Sequence, residues 1–425
     1  MIVNRRHVLD RSEVTDAAEL PAAVARRLGG EPLRWYVSAA DEREFVVETT
    51  EYAAPLPPAA ARRPLSPNGI DVVVSLIPTG IGCEIGGYAG DAGPATALLA
   101  AATDLLVTNP NAVNASNFVL SDDRVAYTEG SCIDAFSRGE INLYRPRANR
   151  VGVIIEKAAT ESVDHVLNII NTVRAVHGVD IVDYVITDEP IGSHCERNGS
   201  GAYVGRIDRP GMLLDCAQKL LDRGATAIAV TSNVQDLEAE DYANHFGGKH
   251  PNPVGGVEAV ISHLIVKAKG VPAAHAPMIN FKDLPLDHAV VDARGAGELV
   301  SISGLACVLM GLRHAPQISD EHTVGRLVSG VGVENVVAVV APADALGGVP
   351  VLEAARRGIP VIAVRENSTI LDVDAQALGL TVIEVGGYAE AAGVVLALRK
   401  GISLDTVSRP MTTLGREARH VHAGA

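Results

Sequence analysis

Residues 71–114 read DVVVSLIPTGIGCEIGGYAGDAGPATALLAAATDLLVTNPNAVN, and this stretch decides the fold. The apolar run at 72–77 predicts a buried strand, and the run at 105–108 predicts a second one. Between them lie six glycines and then an alanine- and leucine-rich helix that follows Pro94. Strand, loop, helix and strand form the βαβ unit from which parallel sheets are built.

The glycine-rich loop of this unit is a candidate anion site. Glycines at a strand-to-helix turn let backbone N–H groups approach a ligand, and the helix start adds partial positive charge. The alternative is that the glycines only permit tight turns and close packing. A dinucleotide fingerprint is not satisfied, because Ile85 occupies its third glycine position. The predicted ligand contacts are Thr79, Gly80, Gly82, Gly86, Gly87, Tyr88 and Asp91.

The same alternation of strand and helix recurs along the chain. It predicts an α/β fold with mostly parallel, Rossmann-like sheets, helices on both faces, and room for two lobes around a cleft. Strands are expected at 33–38, 44–50, 151–155, 181–186, 225–230, 335–340 and 361–364, and helices at 16–28, 162–176, 212–223, 297–313 and 351–357. Residues 109–150 and 187–210 are predicted to be long polar loops.

Shifts in composition predict five segments. They are a small α/β unit at 1–54, a Pro/Ala-rich linker at 55–69, a main α/β domain at 70–330, a Rossmann-like βαβ unit at 331–402 and a polar tail at 403–425.

Composition limits the class of protein. The chain has 425 residues and a net charge of −15, which argues against nucleic acid or an acidic membrane as partner. It contains no apolar run long enough to span a membrane and no apolar signal segment at its start. Its five cysteines are scattered, as expected for a reduced protein. We therefore expect a cytoplasmic protein, and the apolar balance favours a homo-oligomer.

Loop 187–206 supplies the predicted catalytic groups, which are Asp188, Glu189 and His194. Carboxylates and an imidazole at the carboxyl end of a strand are suited to acid–base chemistry. Arg206 is predicted to bind a carboxylate or phosphate through its guanidinium. The alternatives are loop capping for the carboxylates and a surface ion pair for the arginine.

Two further loops add candidate ligand contacts. Asn109 and Asn114 follow the strand at 105–108. Gly255-Gly256 open a helix on which Glu258 and Ser262 lie one turn apart and are predicted to face a ligand at the helix start, and His263 is predicted as a further contact. A solvent-exposed helix face is the alternative. Histidines at 245, 250, 263 and 275 match no metal motif, so we predict no metal site.

The segment ADALGGVPVLEAARRGIPVIAVRENST resembles the C-terminal half of sugar-nucleotide epimerases and glycosyltransferases with two Rossmann-like domains. Gly347 and Gly348 match the glycine pair that opens a helix there, and Asn367 lies in the polar loop that follows. The resemblance implies that this glycine pair contacts a phosphate.

The whole chain resembles a bacterial family of unknown function that also occurs in cyanobacteria and plastid-bearing organisms. The shared segments are PTGIGxxIGGYAGDA at 78–92, NPxxxN at 109–114, DEPxG at 188–192 and GGVEAxISH at 255–263. This resemblance implies no particular reaction and no particular cofactor.

The expected function is that of a cytoplasmic enzyme acting on a small anionic metabolite, a carboxylate or a phosphate ester. Isomerisation or epimerisation by acid–base catalysis is preferred. A nucleotide-donor-dependent transferase and a non-catalytic, metabolite-binding regulatory protein are the alternatives.

Overall fold

The computed structural model describes residues 1–54, 56, 65, 68–110, 122–158, 160–235, 237–249, 251–278, 290–300, 304–318, 327–411 and 413. The strands are β1 (Ile2–Asp10), β2 (Arg34–Ala40), β3 (Glu44–Tyr52), β4 (Val72–Ser75), β5 (Leu105–Thr108), β6 (Val125–Tyr127), β7 (Leu143–Pro146), β8 (Arg150–Ile155), β9 (Asp180–Ile186), β10 (Ser193–Arg197), β11 (Tyr203–Ile207), β12 (Ala227–Ser232), β13 (Val234–Gln235), β14 (Ala273–Pro277), β15 (Leu327–Val331), β16 (Val336–Pro342), β17 (Val361–Val364) and β18 (Ile383–Val385). The helices are α1 (Leu20–Leu28), α2 (Gly93–Ala102), α3 (Gly130–Ser137), α4 (Thr160–His177), α5 (Pro210–Asp222), α6 (Ala239–Phe246), α7 (Gly255–Lys269), α8 (Ala296–Val300), α9 (Gly304–Leu312), α10 (Val349–Arg357), α11 (Ala375–Leu378), α12 (Tyr388–Arg399) and α13 (Leu404–Val407).

A six-stranded parallel sheet with the order β18-β17-β16-β4-β5-β6 carries the glycine-rich stretch. Its two faces are both buried, because Val72 and Val74 pack toward one core cluster and Val73 toward the other. Helices α2 and α12 cover one face, and α3 and α10 cover the opposite face. The sheet takes strands from both sides of the boundary predicted at residue 330.

A second parallel sheet has the order β14-β12-β8-β9. Helices α4 and α9 pack on one face of it, and α5 and α7 pack on the other. The predicted α/β fold with mostly parallel sheets and helices on both faces is therefore confirmed. The apolar stretch expected to form one helix at 297–313 overlaps α8 and α9, and residues 301–303 between them lie outside the described part.

The N-terminal unit is an antiparallel sheet, β1-β3-β2, with α1 packed nearby. It docks on the six-stranded sheet through β2, where the Val37 amide donates to the Gly347 carbonyl over 3.0 Å. Its predicted strands at 33–38 and 44–50 coincide with β2 and β3. Most of the linker predicted at 55–69 and of the tail after 403 lies outside the described residues.

Two segments predicted to be polar loops contain regular structure, so those predictions are wrong. Residues 187–210 form a hairpin of β10 and β11. Residues 109–150 contain β6, α3 and β7, and α3 begins after Glu129 because that side chain caps the amides of Ser131 and Cys132.

Helix α7 is deeply buried, and its start packs against β11 without space for side chains. A Cβ at Gly256 would lie 2.4 Å from the Tyr203 carbonyl oxygen and 2.6 Å from Val204 Cα. The neighbouring Gly255 lies close to the glycine-rich loop, because its added Cβ would lie 3.3 Å from the Gly80 nitrogen. The glycine pair therefore brings the two loops together. Among the described residues, no helix is long and apolar enough to cross a membrane.

Gly256→Ala should lower the free energy of unfolding by about 1–3 kcal/mol, because the new methyl group meets backbone that cannot move aside. Gly393→Ala is the matched control, since Gly393 lies in α12 and no described atom is within 4 Å of the added carbon. It should gain about 0.5–1 kcal/mol from helix propensity. Chemical denaturation measures both variants, and equal stabilities would contradict the close packing.

Candidate functional site

A cavity of about 210 Å³ opens between the carboxyl edge of the six-stranded sheet and the start of α7. Its walls come from segments that are far apart in the sequence. These are residues 34–37 of β2, the loops after β4, β5 and β16, the start of α3, residues 255–263 of α7, and residues 274–275 of β14. Carboxyl edges of parallel strands are the usual ligand sites of open α/β sheets.

Three helices begin at this cavity, and their partial positive charges converge there. Gly130 opens α3, Gly255 opens α7, and Gly348 precedes the first residue of α10. The Glu129 side chain caps α3, whereas among the described residues α7 and α10 have no side-chain cap. Of these two starts, that of α7 is better suited to an anion, because at α10 Pro350 has no N–H and the Val351 amide donates to the Gly348 carbonyl.

Glu129 and His263 form a buried acid–base pair on one wall. His263 Nδ1 lies 2.5 Å from Glu129 Oε2, and the Glu129 carboxylate also accepts from the Ser131 hydroxyl and the Cys132 amide. Burial acts to raise the pKa of Glu129, but His263 and the hydrogen bonds outweigh it and lower that pKa to about 2. The carboxylate is therefore ionised and orients the imidazole toward Gly130, where a Cβ would lie 3.2 Å from Nε2.

Glu258 and His275 form a second carboxylate–imidazole pair. His275 Nδ1 lies 3.4 Å from Glu258 Oε1, and its Nε2 is 2.9 Å from the Ser232 hydroxyl, which in turn is 3.1 Å from the Ser193 hydroxyl. Ser232 is fully buried, whereas the Glu258 side chain is 27% exposed and lines the cavity. The group available to a ligand is thus the carboxyl, and the serine stands behind the histidine.

The environment of the Glu258 carboxyl fits a role as a proton donor or acceptor. Burial raises the pKa of its carboxyl, although His275 acts against this shift. Asp134, in the middle of α3, also lines the cavity. Burial raises the pKa of Asp134 to about 6, and the positive charge of Arg138 offsets only part of this rise. Carboxyl groups whose pKa values differ because their surroundings differ are typical of acid–base sites.

Seven of the predicted ligand contacts line this cavity. They are Thr79, Asn109, Gly255, Glu258, His263, Gly347 and Gly348. Asn109 fixes the loop after β4, because its side chain accepts from the Ile77 amide over 2.9 Å and donates to the Ile77 carbonyl. Asn114 lies outside the described residues.

The remaining glycines of the predicted loop do not line the cavity, and packing accounts for them. Gly80 has a φ of +79°, and a Cβ there would lie 2.5 Å from the Tyr203 carbonyl oxygen. At Gly86 a Cβ would lie 2.1 Å from Ile77, and at Gly87 it would lie 2.2 Å from the Cys83 carbonyl oxygen. Gly82 packs against Pro251, and Gly256 packs against β11.

Three polar residues expected at the ligand instead support the glycine-rich loop from outside the cavity. Tyr88 donates its hydroxyl to the His245 carbonyl over 2.7 Å, and Asp91 accepts from the Tyr88 amide. Asn367 is fully buried and pairs with both backbone groups of Ile85, at 2.8 Å and 3.0 Å.

The residues predicted to be catalytic also lie away from the cavity lining. Asp188 and Glu189 are exposed, and Glu189 pairs with Arg209 at 2.8 Å. His194 lies on β10, 2.9 Å from Asp208, and Arg206 bonds to the same carboxylate over 2.7 Å.

The sequence reasoning missed Arg34, Glu129, Asp134 and His275 as members of one site. Glu129 carries a detectable signal, because an acidic residue before Gly130 is followed by Ile133 and Phe136 at helical spacing. Nothing local marks Arg34, which reaches the cavity only through the docking of β2. In the described part of the chain, no group of three or more His, Cys, Asp or Glu side chains is arranged to hold a metal ion.

Fold and cavity together define an α/β protein with two parallel sheets and a cavity at strand ends that two carboxylate–histidine pairs line. The chain belongs to the DUF3326 family, whose members are described as proteins of unknown function, and the match covers residues 72–408. This agrees with the family resemblance of the four sequence segments. A protein of Synechococcus sp., named an uncharacterized lipoprotein, is 36% identical over 360 residues, which cover 83% of this chain and 98% of the relative. No solved structure matches the chain.

Asp134→Asn should stabilise the protein above about pH 6. The pKa of Asp134 lies at about 6 in the folded state, compared with 3.8 for a fully solvated aspartate. The fold therefore favours the protonated acid, and this contribution is lost as the pH rises through 6. At about pH 7.5 the variant should gain about 1–3 kcal/mol of unfolding free energy, and the gain should vanish below pH 3.8.

Denaturation of wild type and variant across this pH range measures the difference. Asp215→Asn is the matched control, because Asp215 is exposed on α5, and it should show no such pH-dependent gain. An Asp134→Asn protein that is less stable than wild type at neutral pH would contradict the burial argument.

Proposed function

We propose that the protein is an enzyme that acts on a small anionic metabolite by acid–base catalysis of the isomerase or epimerase type. One observation carries the proposal: two carboxylate–histidine pairs face a single cavity at which uncapped helices begin. The classes of substrate and reaction are those expected from the sequence. The chemistry is assigned to Glu258 and His263 in place of Asp188, Glu189 and His194.

The two pairs suit proton removal and proton return. Glu258 and His263 belong to the same helix, α7, and both line the cavity. Their partners also line the cavity, because Glu129 Oε2 lies 2.5 Å from His263 Nδ1 and His275 Nδ1 lies 3.4 Å from Glu258 Oε1. An isomerase that moves a proton next to a carbonyl needs a base and an acid on one substrate. The helix starts would stabilise negative charge that develops on the substrate oxygen.

Deuterium exchange tests the proposal, because it detects proton removal from any compound that the enzyme accepts. The purified protein is incubated in D₂O with pools of carboxylates and of phosphate esters, and mass spectrometry detects deuterium incorporated into each pool. We expect one compound to exchange. Glu258→Gln should slow this exchange at least about a hundredfold, because a positioned acid–base group contributes that much.

The matched control is Glu384→Gln, which removes an exposed carboxylate from β18 and should leave the exchange rate unchanged. Glu189→Gln discriminates between the two assignments. Loss of exchange in Glu189→Gln, with retention in Glu258→Gln, would move the chemistry to the exposed loop. Saturable binding of a metabolite with no exchange from any pool would contradict catalysis and favour the regulatory alternative.

We also propose a cytoplasmic location, supported by five scattered cysteines without a Cys-x-x-Cys pair, which suit a reducing compartment. The name of the Synechococcus relative points to a lipid-anchored protein in that organism. Cell fractionation followed by detection of the native protein tests the location. Recovery in the membrane fraction would contradict the proposal. The expected homo-oligomer stays a prediction.

A further inference from the structure

Helices α2 and α12 lie side by side on one face of the six-stranded sheet and run in the same direction. At their carboxyl ends the Arg399 guanidinium of α12 donates to the Ala102 carbonyl of α2 over 2.8 Å. Their buried residues, such as Leu99 and Val395, belong to the core cluster on this side of the sheet. The opposite faces of the two helices therefore point away from the sheet and form one continuous outer surface.

This outer surface is apolar. It consists of Pro94, Leu98 and Ala101 of α2 and Ala389, Gly393 and Leu396 of α12, and we name it the α2/α12 surface. Leu98 and Leu396 are each 46% exposed. Helix α2, with the sequence GPATALLAAA, contains no charged residue. A helix that is apolar on all sides is typical of a buried position, whereas one side of α2 is open to solvent.

Helix α4, which covers a face of the second sheet, shows the pattern expected of a helix in contact with water. Its exposed residues include Asp164, Asn168, Asn171 and Arg174. Polar residues on the outer face and apolar residues on the inner face are the rule for such helices. The α2/α12 surface departs from this rule over two neighbouring helices, and a contiguous exposed apolar patch indicates a site of protein association.

The charges at the two ends of α12 indicate that the partner is a second copy of the chain. Glu390 is exposed in the first turn of the helix, and Lys400 is exposed directly after its last residue. Both lie five positions from Val395 in the sequence. A twofold axis across the middle of α12 makes the helices of two copies antiparallel, so that Glu390 of each copy lies opposite Lys400 of the partner subunit. The same rotation places the apolar surface against itself, as an isologous interface requires.

The net charge of the chain favours the same surface for self-association. Each copy carries a charge of −15, so two copies repel each other wherever acidic surfaces meet. The α2/α12 surface is uncharged at its centre, and Glu390 and Lys400 balance each other at the ends of α12. A strongly acidic or basic partner would find no net charge to pair with there, whereas a second copy meets a matching surface.

We propose that two copies of the chain associate through the α2/α12 surface into a dimer with twofold symmetry. The two α12 helices pack antiparallel at the centre, α2 extends the contact on each side, and Glu390 pairs with Lys400 of the partner subunit at both ends. None of the described residues that line the cavity belongs to α2 or α12. The dimer therefore leaves the cavity open, and this inference is independent of the proposed function.

Sedimentation equilibrium of the full chain at micromolar concentrations tests the dimer. We expect wild type to sediment with twice the mass of one chain. Leu396→Glu should raise the Kd of the dimer at least about a hundredfold, because it places two like charges in an apolar contact near the twofold axis. Val176→Glu is the matched control, because Val176 is an apolar residue of α4 that is 68% exposed, and it should sediment as wild type does.

Exchange of the two charges tests the antiparallel arrangement. Lys400→Glu should raise the Kd at least about fivefold, because it replaces two ion pairs by two repulsive pairs. The double variant Glu390→Lys with Lys400→Glu forms both pairs again with their charges exchanged, so it should recover affinity. This recovery is a result that a merely structural role of either residue would not produce.

Circular dichroism and melting curves establish that each variant is folded. This matters for Glu390→Lys, because the Glu390 carboxylate accepts from the Gly386 amide over 2.6 Å. Leu98→Glu, on the exposed side of α2, keeps the test valid if Leu396→Glu does not fold. A monomeric wild type, or a dimer whose Kd is the same in wild type and Leu396→Glu, would overturn the proposal. A double charge variant that dimerises no better than Lys400→Glu would overturn the antiparallel arrangement.

Discussion

The position of β4 between β5 and β16 is the constraint on which the cavity depends. Because all three strands run parallel, their carboxyl ends meet at one edge of the sheet. Thr79, Asn109 and Gly347 thereby become neighbours although they are far apart in the sequence. Helix α7 forms the opposite wall of the cavity, and its close contacts with β11 and with Gly80 position it.

Several of the titratable groups inside this frame oppose the stability of the fold. Asp134 and Glu258 are held where burial favours their neutral forms, whereas Glu129 is kept ionised by His263 and by hydrogen bonds. Arg34 retains a buried donor with no acceptor in the described part of the protein. Of these groups, Glu129 stabilises the fold at neutral pH, whereas the two buried carboxyls with raised pKa values and the unpaired donor lower its stability, and all of them lie in one cavity. This concentration distinguishes the cavity from the exposed loop that carries Asp188 and Glu189, where the ionised groups are solvated.

Local patterns predicted the elements well and their assembly poorly. The strands at 105–108 and 361–364 followed from apolar runs, and the glycines before α7 and α10 correctly indicated two helix starts at the cavity. No local pattern predicts that β4 pairs with β16. Residues 331–402 were therefore predicted to form a unit of their own, although their strands complete the six-stranded sheet. The hairpin of β10 and β11 was missed because its polar and glycine-rich sequence is also typical of loops. Arg34 was missed for a related reason, since it reaches the cavity only because an N-terminal strand docks beside Gly347.

Filling the cavity with a covalent label tests most directly whether it is the site of function. All five native cysteines are buried, so Ala259→Cys on the partly exposed cavity face of α7 introduces the one thiol that reacts readily with a bulky maleimide. Ala22→Cys on the exposed face of α1 is the matched control. Complete labelling at position 259 should abolish both anion binding and proton exchange, whereas labelling at position 22 should leave both intact. Full activity after complete labelling at position 259 would contradict the assignment of function to this cavity.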